Sequence, residues 1–183
     1  WTWSQDYPEK YIFFATSNGT LIHGEIKEWL NKNKERFVVG LSLDGTREMH
    51  NINRSNSFDQ IDIDFINSNW PSQTIKMTIS PQTIRHLSEG VIYLHERGIK
   101  KIAANLAEMI DWSSPQYETI YKEELHKLSQ YYLTHPNIEP CSLFNIRFQT
   151  LLEGKIQKWC GVGTSMVAYD TAGNAYPCHL FFE

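Results

Sequence analysis

One stretch of the chain, residues 37–46, restricts the possible folds more than any other. It is a continuous apolar run that ends in a polar turn containing Gly45. An apolar run without alternation is typical of a strand covered on both faces, as in the parallel sheets of α/β proteins. Such sheets bind ligands beyond the carboxyl ends of their strands. Ser42 and Asp44, at the end of this run, are therefore candidate ligand-binding residues, and Gly45 allows a tight turn.

A second run, residues 11–16, ends in the same way. It is followed by Ser17, Asn18, Gly19 and Thr20. Two neighbouring strands that both end in short polar side chains and a glycine predict one shared site at one rim of the sheet.

The first three quarters of the chain alternate between strand and helix patterns. Strands are predicted at residues 11–16, 37–43, 74–79 and 101–106. Helices are predicted from about Leu21, from the Ser57/Gln60 capping box, from Ser80-Pro81 to Gly98, and from Ser114-Pro115 to about residue 133. Residues 47–56 are predicted to be a polar loop. Repeated strand–helix units of this kind predict an α/β fold, either a parallel sheet or an arc of a β/α barrel.

Composition excludes several classes of protein. The 183 residues carry a net charge of -4 and have a pI near 6.0, so we expect no nucleic-acid partner. No apolar run approaches the roughly 20 residues of a transmembrane helix, so we expect no membrane partner. Three cysteines, an odd number, argue against a disulfide framework and favour a reducing, cytoplasmic location. A first residue of Trp1 and an apolar end at Phe181-Phe182 predict a piece cut from a longer protein.

The pattern changes after residue 136, where we predict a boundary between domains at 1–138 and 139–183. Residues 166–169 and 174–176 flank a turn at 170–173 and predict a β-hairpin. Cys160 and Cys178 bracket this hairpin. Their thiolates are suitable ligands for zinc or an iron–sulfur cluster, although two buried cysteines acting as small apolar groups are an equally good interpretation.

Several of these motifs together resemble a known family. Ser-Leu-Asp-Gly-Thr at 42–46, followed by His50-Asn51 and Arg54, is similar to the radical S-adenosylmethionine (SAM) enzymes that modify peptides and proteins. Thr-Ser-Asn-Gly-Thr at 16–20 is similar to the preceding strand end of that family, usually Thr-Asn-Gly-Thr. The spacing of Cys160, Gly173 and Cys178 resembles the start of the SPASM extension. The resemblance covers roughly residues 13–182 and is greatest to anaerobic sulfatase-maturase-like members.

This resemblance implies a partial (β/α) barrel of parallel strands, followed by a hairpin that opens a SPASM-type extension. It implies SAM and [4Fe–4S] clusters as cofactors and a 5′-deoxyadenosyl radical that modifies a peptide or protein side chain. It also implies an electron donor such as a flavodoxin or ferredoxin. The Cys-x-x-x-Cys-x-x-Cys motif of the SAM-binding cluster is absent from the chain. We therefore expect that motif upstream of Trp1, the remaining SPASM cysteines beyond Glu183, and no activity from the fragment alone.

The resemblance also implies roles for individual residues. Ser42, Asp44, Asn18, Arg54 and the backbone of Leu106 would contact SAM, Cys160 and Cys178 would bind an auxiliary cluster, and His179 would accept a proton. In this assignment Ser42 binds the ribose or amino-acid end of SAM, Asp44 a ribose hydroxyl, Arg54 the carboxylate and Leu106 the adenine. These residues also have structural interpretations. Ser42 would be a strand-end serine bonded to the backbone, Asp44 and Asn18 turn residues, Arg54 a solvated arginine, Leu106 a core leucine and His179 a packing histidine.

One departure from the family and two alternatives remain. The maturases that oxidise a sulfatase cysteine or serine carry an aspartate after the second hairpin cysteine. His179 occupies this position here, which argues against the sulfatase reaction. A non-catalytic α/β module that binds zinc through Cys160, Cys178, His179 and Cys141 is the first alternative. A β/α sugar or phosphate enzyme is the second, but the chain has no glycine cluster after a late strand to support it.

Overall fold

The computed structural model of the chain describes residues 12–144, 166–178 and 181. The chain divides into two compact units, Trp1–Asn145 and Ile146–Glu183. Within the described ranges, no helix has both the length and the apolar character needed to cross a membrane.

The first unit contains two pairs of parallel strands. They are β1 (Phe13–Ser17) with β2 (Phe37–Leu41), and β3 (Ile75–Ile79) with β4 (Ile102–Leu106). A parallel bridge between Ser42 and Lys76 joins the end of β2 to β3, and the Leu43 N–H donates to the Lys76 carbonyl at 2.8 Å. The predicted parallel pairing is therefore confirmed, and the carboxyl ends of adjoining strands lie at one edge.

The helices follow the strands in the predicted alternation. They are α1 (Gly24–Asn33), α2 (Arg47–Asn53), α3 (Ile63–Asn69), α4 (Leu87–Glu96) and α5 (Pro115–Thr134), with short 3-10 turns at Phe58–Gln60, Ile84–His86 and Ser142–Phe144. Two predicted helix signals are confirmed. Pro115 occupies the first turn of α5, and Gly98, at φ +81°, follows the end of α4 and donates its N–H to the His95 carbonyl.

The two faces of the strands differ sharply. In β3, Ile75, Met77 and Ile79 are buried, whereas Lys76 is exposed and Thr78 is half-buried. The buried face packs in the apolar core with α4 and α5, through residues such as Leu87, Val91 and Leu128. The other face carries Phe14, Thr16, Ser42, Lys76, Thr78 and Asn105, and we call it the open face. The strand predicted to be covered on both sides, residues 37–43, contains no exposed residue, whereas Phe14, Thr16, Lys76 and Asn105 on the open face of the other strands are exposed.

Residues 47–56 are not the predicted loop, since α2 occupies Arg47–Asn53. Thr46 caps this helix, and its hydroxyl accepts from the Met49 N–H at 3.4 Å. The sequence concealed the helix because its only buried residues, Met49 and His50, are too few to produce an apolar period.

The predicted capping box at Ser57 and Gln60 starts only a 3-10 turn. The helix proper, α3, begins later because Asp62 caps it, with its Oδ1 accepting from the Phe65 N–H at 3.0 Å. The Ser57 hydroxyl instead donates to the Arg54 carbonyl at 2.7 Å. Ser57 therefore stabilises the segment between α2 and the 3-10 turn instead of capping a helix.

Ser80-Pro81 also does not start the following helix. The Ser80 N–H donates to the Thr83 hydroxyl at 2.9 Å, and the Thr83 N–H donates back to the Ser80 carbonyl at 3.0 Å. This closed turn leads into a 3-10 segment, and α4 begins only at Leu87.

The second unit contains a short antiparallel pair, β5 (Ala168–Tyr169) and β6 (Ala175–Tyr176). Asp170 organises the turn between them, because its Oδ1 accepts from the Ala172 N–H at 2.9 Å and the Asn174 N–H at 2.8 Å. Hydrogen bonding from Asn174 lowers the pKa of the Asp170 carboxyl. The turn therefore has the Asx geometry that the sequence Asp-Thr-Ala-Gly favours.

Candidate functional site

The ends of β1 and β2 lie side by side. Ser17 is in register with Leu41, and the Ser42 N–H donates to the Ser17 carbonyl at 2.9 Å. Gly19 turns the chain here at φ +79°, and a Cβ on it would lie 2.7 Å from the Leu41 side chain. Two of the predicted site positions, Asn18 and Ser42, therefore lie at one rim of the sheet.

Asn18 is exposed and is partly engaged by its own turn. Its Oδ1 accepts from the Thr20 N–H at 3.2 Å and from the Thr20 hydroxyl at 3.0 Å. The side-chain NH₂ group of Asn18 has no hydrogen-bond partner among the described residues. That nitrogen is the part of Asn18 that a ligand could engage.

Ser42 is half-buried at the end of β2, on the open face. Its backbone is fixed by the bond to Ser17 and by the bridge to Lys76. Among the residues that the structure describes, its hydroxyl has no hydrogen-bond partner. A hydroxyl can donate one hydrogen bond and accept two, so Ser42 presents an unused polar group at the rim.

Asp44 is completely buried, at 0% exposure. Its Oδ1 accepts from the Thr78 N–H at 2.8 Å and from Arg54 Nη2 at 3.1 Å. Its Oδ2 accepts from Arg54 Nε at 2.8 Å and from Asn53 Nδ2 at 3.2 Å. These four bonds fill the four acceptor positions of a carboxylate, so the ribose contact predicted for Asp44 would have to displace a protein donor.

Arg54 follows α2, and its side chain is 27% exposed. Its Nε/Nη2 edge pairs side-on with Asp44, and Nη2 also lies 3.4 Å from the Thr78 hydroxyl. Nη1 stands on the opposite side of the planar guanidinium and has no hydrogen-bond partner among the described residues. Arg54 therefore keeps two N–H donors for a ligand, although its forked edge is already occupied.

His50 fixes the loop that carries Asp44. It is buried, and its Nδ1 accepts from the Asp44 N–H at 3.2 Å while Nε2 lies 3.1 Å from the Ser57 hydroxyl. Because a backbone N–H can only donate, Nδ1 must be unprotonated and Nε2 must carry the proton. Burial lowers the pKa of His50, an effect that Arg54 reinforces and Asp44 opposes.

Leu106, at the end of β4, is half-buried. In the parallel pair with β3, the Ile75 N–H donates to Lys101 and the Ala107 N–H donates to Ile79. Alternate residues of a strand direct their backbone groups to opposite edges, so the N–H and C=O of Leu106 lie on the edge away from β3. The Ser142 hydroxyl reaches the same edge, donating to the Ala104 carbonyl at 2.9 Å. The position is compatible with the predicted backbone contact to a ligand.

The predicted metal residues are only partly visible. Cys178 is buried, whereas Cys160 and His179 lie outside the described residues. Within the described ranges, no group of three or more metal-ligating side chains is found. Cys141 belongs to the first unit, where its N–H donates to the Tyr132 hydroxyl at 3.0 Å. Burial raises the pKa of the Cys141 thiol, which suits a structural cysteine better than a zinc ligand.

Sequence reasoning singled out Asp44 and Arg54 but did not identify Asn53 and Thr78 as their partners. Asn53 Nδ2 also donates to the Thr78 carbonyl at 2.9 Å, so it bridges α2 to β3. A helical assignment of residues 47–53 would have provided a signal, since His50, Asn53 and Arg54 then share one face at i, i+3 and i+4. No sequence signal identifies Thr78, which lies 34 residues from Asp44.

Sequence comparison finds relatives among the cysteine-type anaerobic sulfatase-maturating enzymes. Two of them, from two type A strains of Clostridium perfringens, are each 25% identical to the chain over 189 residues. Each match covers 90% of the chain and 49% of the relative, so the chain spans about half the length of these relatives. No protein-family model matches the chain.

Structural comparison gives the same relationship at the level of fold. Native anSMEcpe with bound AdoMet superposes with a TM-score of 0.71 at 23% identity, over 93% of this chain and 51% of that one. Native anSMEcpe with bound AdoMet and a Cp18Cys peptide gives a TM-score of 0.66 at 22% identity, over 95% and 53%. The chain therefore has the fold of about half of anSMEcpe.

Proposed function

We propose that this chain, a homologue of the cysteine-type anaerobic sulfatase-maturating enzymes, is the SAM-binding part of a radical SAM enzyme that modifies a peptide or protein. The observation that carries the proposal is the rim. Ser42, next to the Asn18 turn, and Arg54, which contacts Asp44 and Thr78, each keep polar groups without a partner among the described residues. Both lie near the carboxyl ends of adjoining parallel strands. Ligands bind at this end of parallel α/β sheets.

The polar groups of the rim fit the chemistry of SAM. The hydroxyl of Ser42 can bond a ribose hydroxyl or the amino-acid end, and Arg54 Nη1 can donate to the carboxylate. The side-chain NH₂ of Asn18 adds a donor, and the outward backbone edge of Leu106 can bond an adenine ring. In this proposal Asp44 serves Arg54 and does not contact the ligand directly.

The protein's share of the mechanism is binding, orientation and exclusion of water. When bound, SAM and its iron–sulfur cluster supply a radical that removes a hydrogen atom from the substrate. In the proposal, the open face forms part of the interior of a (β/α) barrel whose remaining units lie elsewhere in the protein. Thr16, Lys76 and Asn105 would then line the space beside the ligand.

We assign residues 139–183 to the start of a SPASM-type extension in this proposal. Cys160 and Cys178 would bind an auxiliary [4Fe–4S] cluster, and His179 would accept the proton released when the substrate is oxidised. Two observations on relatives support a peptide substrate: anSMEcpe has been solved with bound AdoMet and with either of two peptides. His179 at the position of the family's aspartate favours a reaction other than sulfatase maturation.

Metal content and SAM cleavage test the proposal in the full-length protein that contains this chain. Protein purified without oxygen should hold more than one [4Fe–4S] cluster, and after reduction with dithionite it should convert SAM to methionine and 5′-deoxyadenosine. Iron-free protein, or protein that holds zinc alone, would instead support the zinc-binding module. The 183-residue chain by itself should not cleave SAM.

A variant pair tests the rim. Ser42→Ala should raise the Kd for SAM about 3- to 10-fold, the usual effect of one lost hydrogen bond. Ser72→Ala, in an exposed turn after α3, should leave the Kd unchanged. Equal Kd values for the two variants would exclude Ser42 from the binding site.

A further inference from the structure

A buried ion pair at the rim has a geometry that a purely structural ion pair does not need. Asp44 is fully buried, whereas Arg54 reaches the surface of the described region with 27% of its side chain exposed. Replacing such a pair by apolar residues is often neutral or stabilising. Stability alone therefore gives a weak reason for a charged pair at this place.

The acid of the pair is fixed from three directions. The Thr78 N–H of β3 and the Asn53 amide of α2 bond its carboxylate, at 2.8 and 3.2 Å. The Asp44 N–H is held by the imidazole of His50. None of these bonds requires a ligand, so the orientation of the carboxylate is established before any ligand binds.

The base of the pair is oriented by that carboxylate. Two contacts from Nε and Nη2 fix both the position and the plane of the Arg54 guanidinium. The planar group must then place Nη1 on the side remote from Asp44. A lysine could not be held in this way, because its ammonium group is a point charge with freely rotating donors.

We propose that Asp44 is a positioning residue, which holds the Nε/Nη2 edge of Arg54 so that Nη1 is presented to the bound ligand. This inference rests on the proposed function, in which the ligand of Arg54 is the carboxylate of SAM. Asp44 touches no reacting atom and acts on the ligand only through Arg54.

Simple electrostatics makes the opposite prediction, which gives the test its direction. Asp44 is a negative charge close to a site for a carboxylate. If charge alone mattered, Asp44→Asn would tighten SAM binding, because it removes that repulsion and leaves the charge of Arg54 uncompensated. If Asp44 positions Arg54, the same substitution weakens SAM binding. The NH₂ group of asparagine cannot accept a hydrogen bond, so one of the two contacts that orient the guanidinium is lost.

The experiment is a double-mutant cycle on the full-length protein, with SAM as the ligand and equilibrium dialysis under anaerobic conditions as the measurement. Asp44→Asn should raise the Kd about tenfold, and Arg54→Gln should raise it by at least as much. The double variant should match Arg54→Gln alone, because Asp44 has no effect once its arginine is gone. Arg47→Gln and Asp59→Asn, from the exposed ion pair that joins the start of α2 to the following 3-10 turn, should leave the Kd unchanged.

Unchanged or tighter binding by Asp44→Asn would overturn the proposal, as would an equal further loss when Asp44→Asn is added to the Arg54→Gln variant. If Asp44→Asn does not fold, Asn53→Ala takes its place, because it keeps both charges and removes one bond to the carboxylate. That variant should raise the Kd about 2- to 5-fold, and no increase would overturn the proposal. Wild-type protein that holds clusters but does not bind SAM would overturn the proposed function itself.

Discussion

Two buried carboxylates of this chain have similar surroundings but different consequences. Asp44 follows β2 and pairs with Arg54, and Glu124 lies in the middle of α5 and pairs with Lys127. Glu124 is 2% exposed, so both acids are removed from water. Each also accepts hydrogen bonds from a neighbouring element, β3 for Asp44 and α4 for Glu124.

The difference lies in where each partner presents its remaining donors and how firmly they are oriented. Glu124 Oε2 accepts from the N–H and hydroxyl of Ser88 at 2.8 and 2.6 Å, and Oε1 accepts from the largely exposed Lys127. Burial raises the pKa of Glu124, but the bonds from Lys127 and Ser88 outweigh it and lower the pKa overall. This acid joins two helices. Lys127 also keeps N–H donors, but on a flexible, exposed side chain of a helix, whereas two contacts fix the plane of the Arg54 guanidinium at the strand ends. A buried carboxylate therefore indicates a site when it orients the remaining donors of its partner where a ligand can bind.

Replacing either acid by a neutral residue should give the largest changes in stability, and SAM binding should separate their roles. Asp44→Ala should reduce the free energy of unfolding by about 3 to 5 kcal/mol, because it leaves a half-buried guanidinium and the Thr78 N–H without an acceptor. Glu124→Gln should cost about 1 to 3 kcal/mol. Urea unfolding followed by tryptophan fluorescence measures both. Glu124→Gln should not change SAM binding, and a weaker SAM complex in this variant would contradict the comparison.

Two glycines allow the same comparison for the backbone. Gly45 beside the rim and Gly98 after α4 have nearly the same φ, +80° and +81°. Substitution by alanine should cost about 1 to 2 kcal/mol at either position for the left-handed conformation. At Gly45 the new Cβ would also lie 2.9 Å from the Gly90 Cα, which should add about 1 to 3 kcal/mol because backbone cannot move aside easily.

Thermal unfolding of the two alanine variants checks this difference. In the part of the chain that the structure describes, the only close neighbour of a Cβ at Gly98 would be the Asn67 side chain, at 3.2 Å. Equal losses of stability at Gly45 and Gly98 would mean that the contact with α4 relaxes without cost.

The sequence predicts the strands better than the helices that follow them. Apolar runs that end in Asn18-Gly19 or Asp44-Gly45 mark both the strands and their rim, because burial and tight turns each require particular residue types. Helix α2 escaped prediction because it is stabilised by the Thr46 cap and by burial of Met49 and His50. Tertiary contacts, and not an apolar period, determine where it forms.

The candidate site follows the same division. Ser42, Asp44 and Arg54 could be selected by their position after a strand and by resemblance to a family. Their bonding could not, because it depends on the register of β2 against β3. That register brings the Thr78 N–H within hydrogen-bond distance of Asp44. The carboxylate held there in turn binds the Nε/Nη2 edge of Arg54. The sequence contains no local signal for a contact across 34 residues.

The smallest predicted effects concern two buried histidines, His50 at the rim and His95 in the helix layer. Burial lowers the pKa of His50 at the rim and of His95 between the helices. Folding lowers both pKa values below the ordinary 6.5. In the pH range between the folded and the unfolded pKa, the unfolded chain therefore binds more protons than the folded chain. Stability should therefore be constant above about pH 6.5 and fall below it, by at most about 1.4 kcal/mol for each unit of pKa difference.

Protonation should be harder to accommodate at His50. Its Nδ1 faces the Asp44 N–H, a donor that cannot reverse, so a proton on Nδ1 removes the bond that holds the Asp44 loop. His95 Nε2 faces the Tyr132 hydroxyl, which can rotate and accept a hydrogen bond from the protonated ring. The free energy of unfolding should therefore fall less between pH 7.5 and pH 5 in His50→Gln than in His95→Gln, as measured by urea unfolding at both pH values. Only in the His50 variant should the Kd for SAM become the same at pH 5 and pH 7.5. If the His95 variant also loses its pH dependence, the rim and the helix layer respond to pH as one unit.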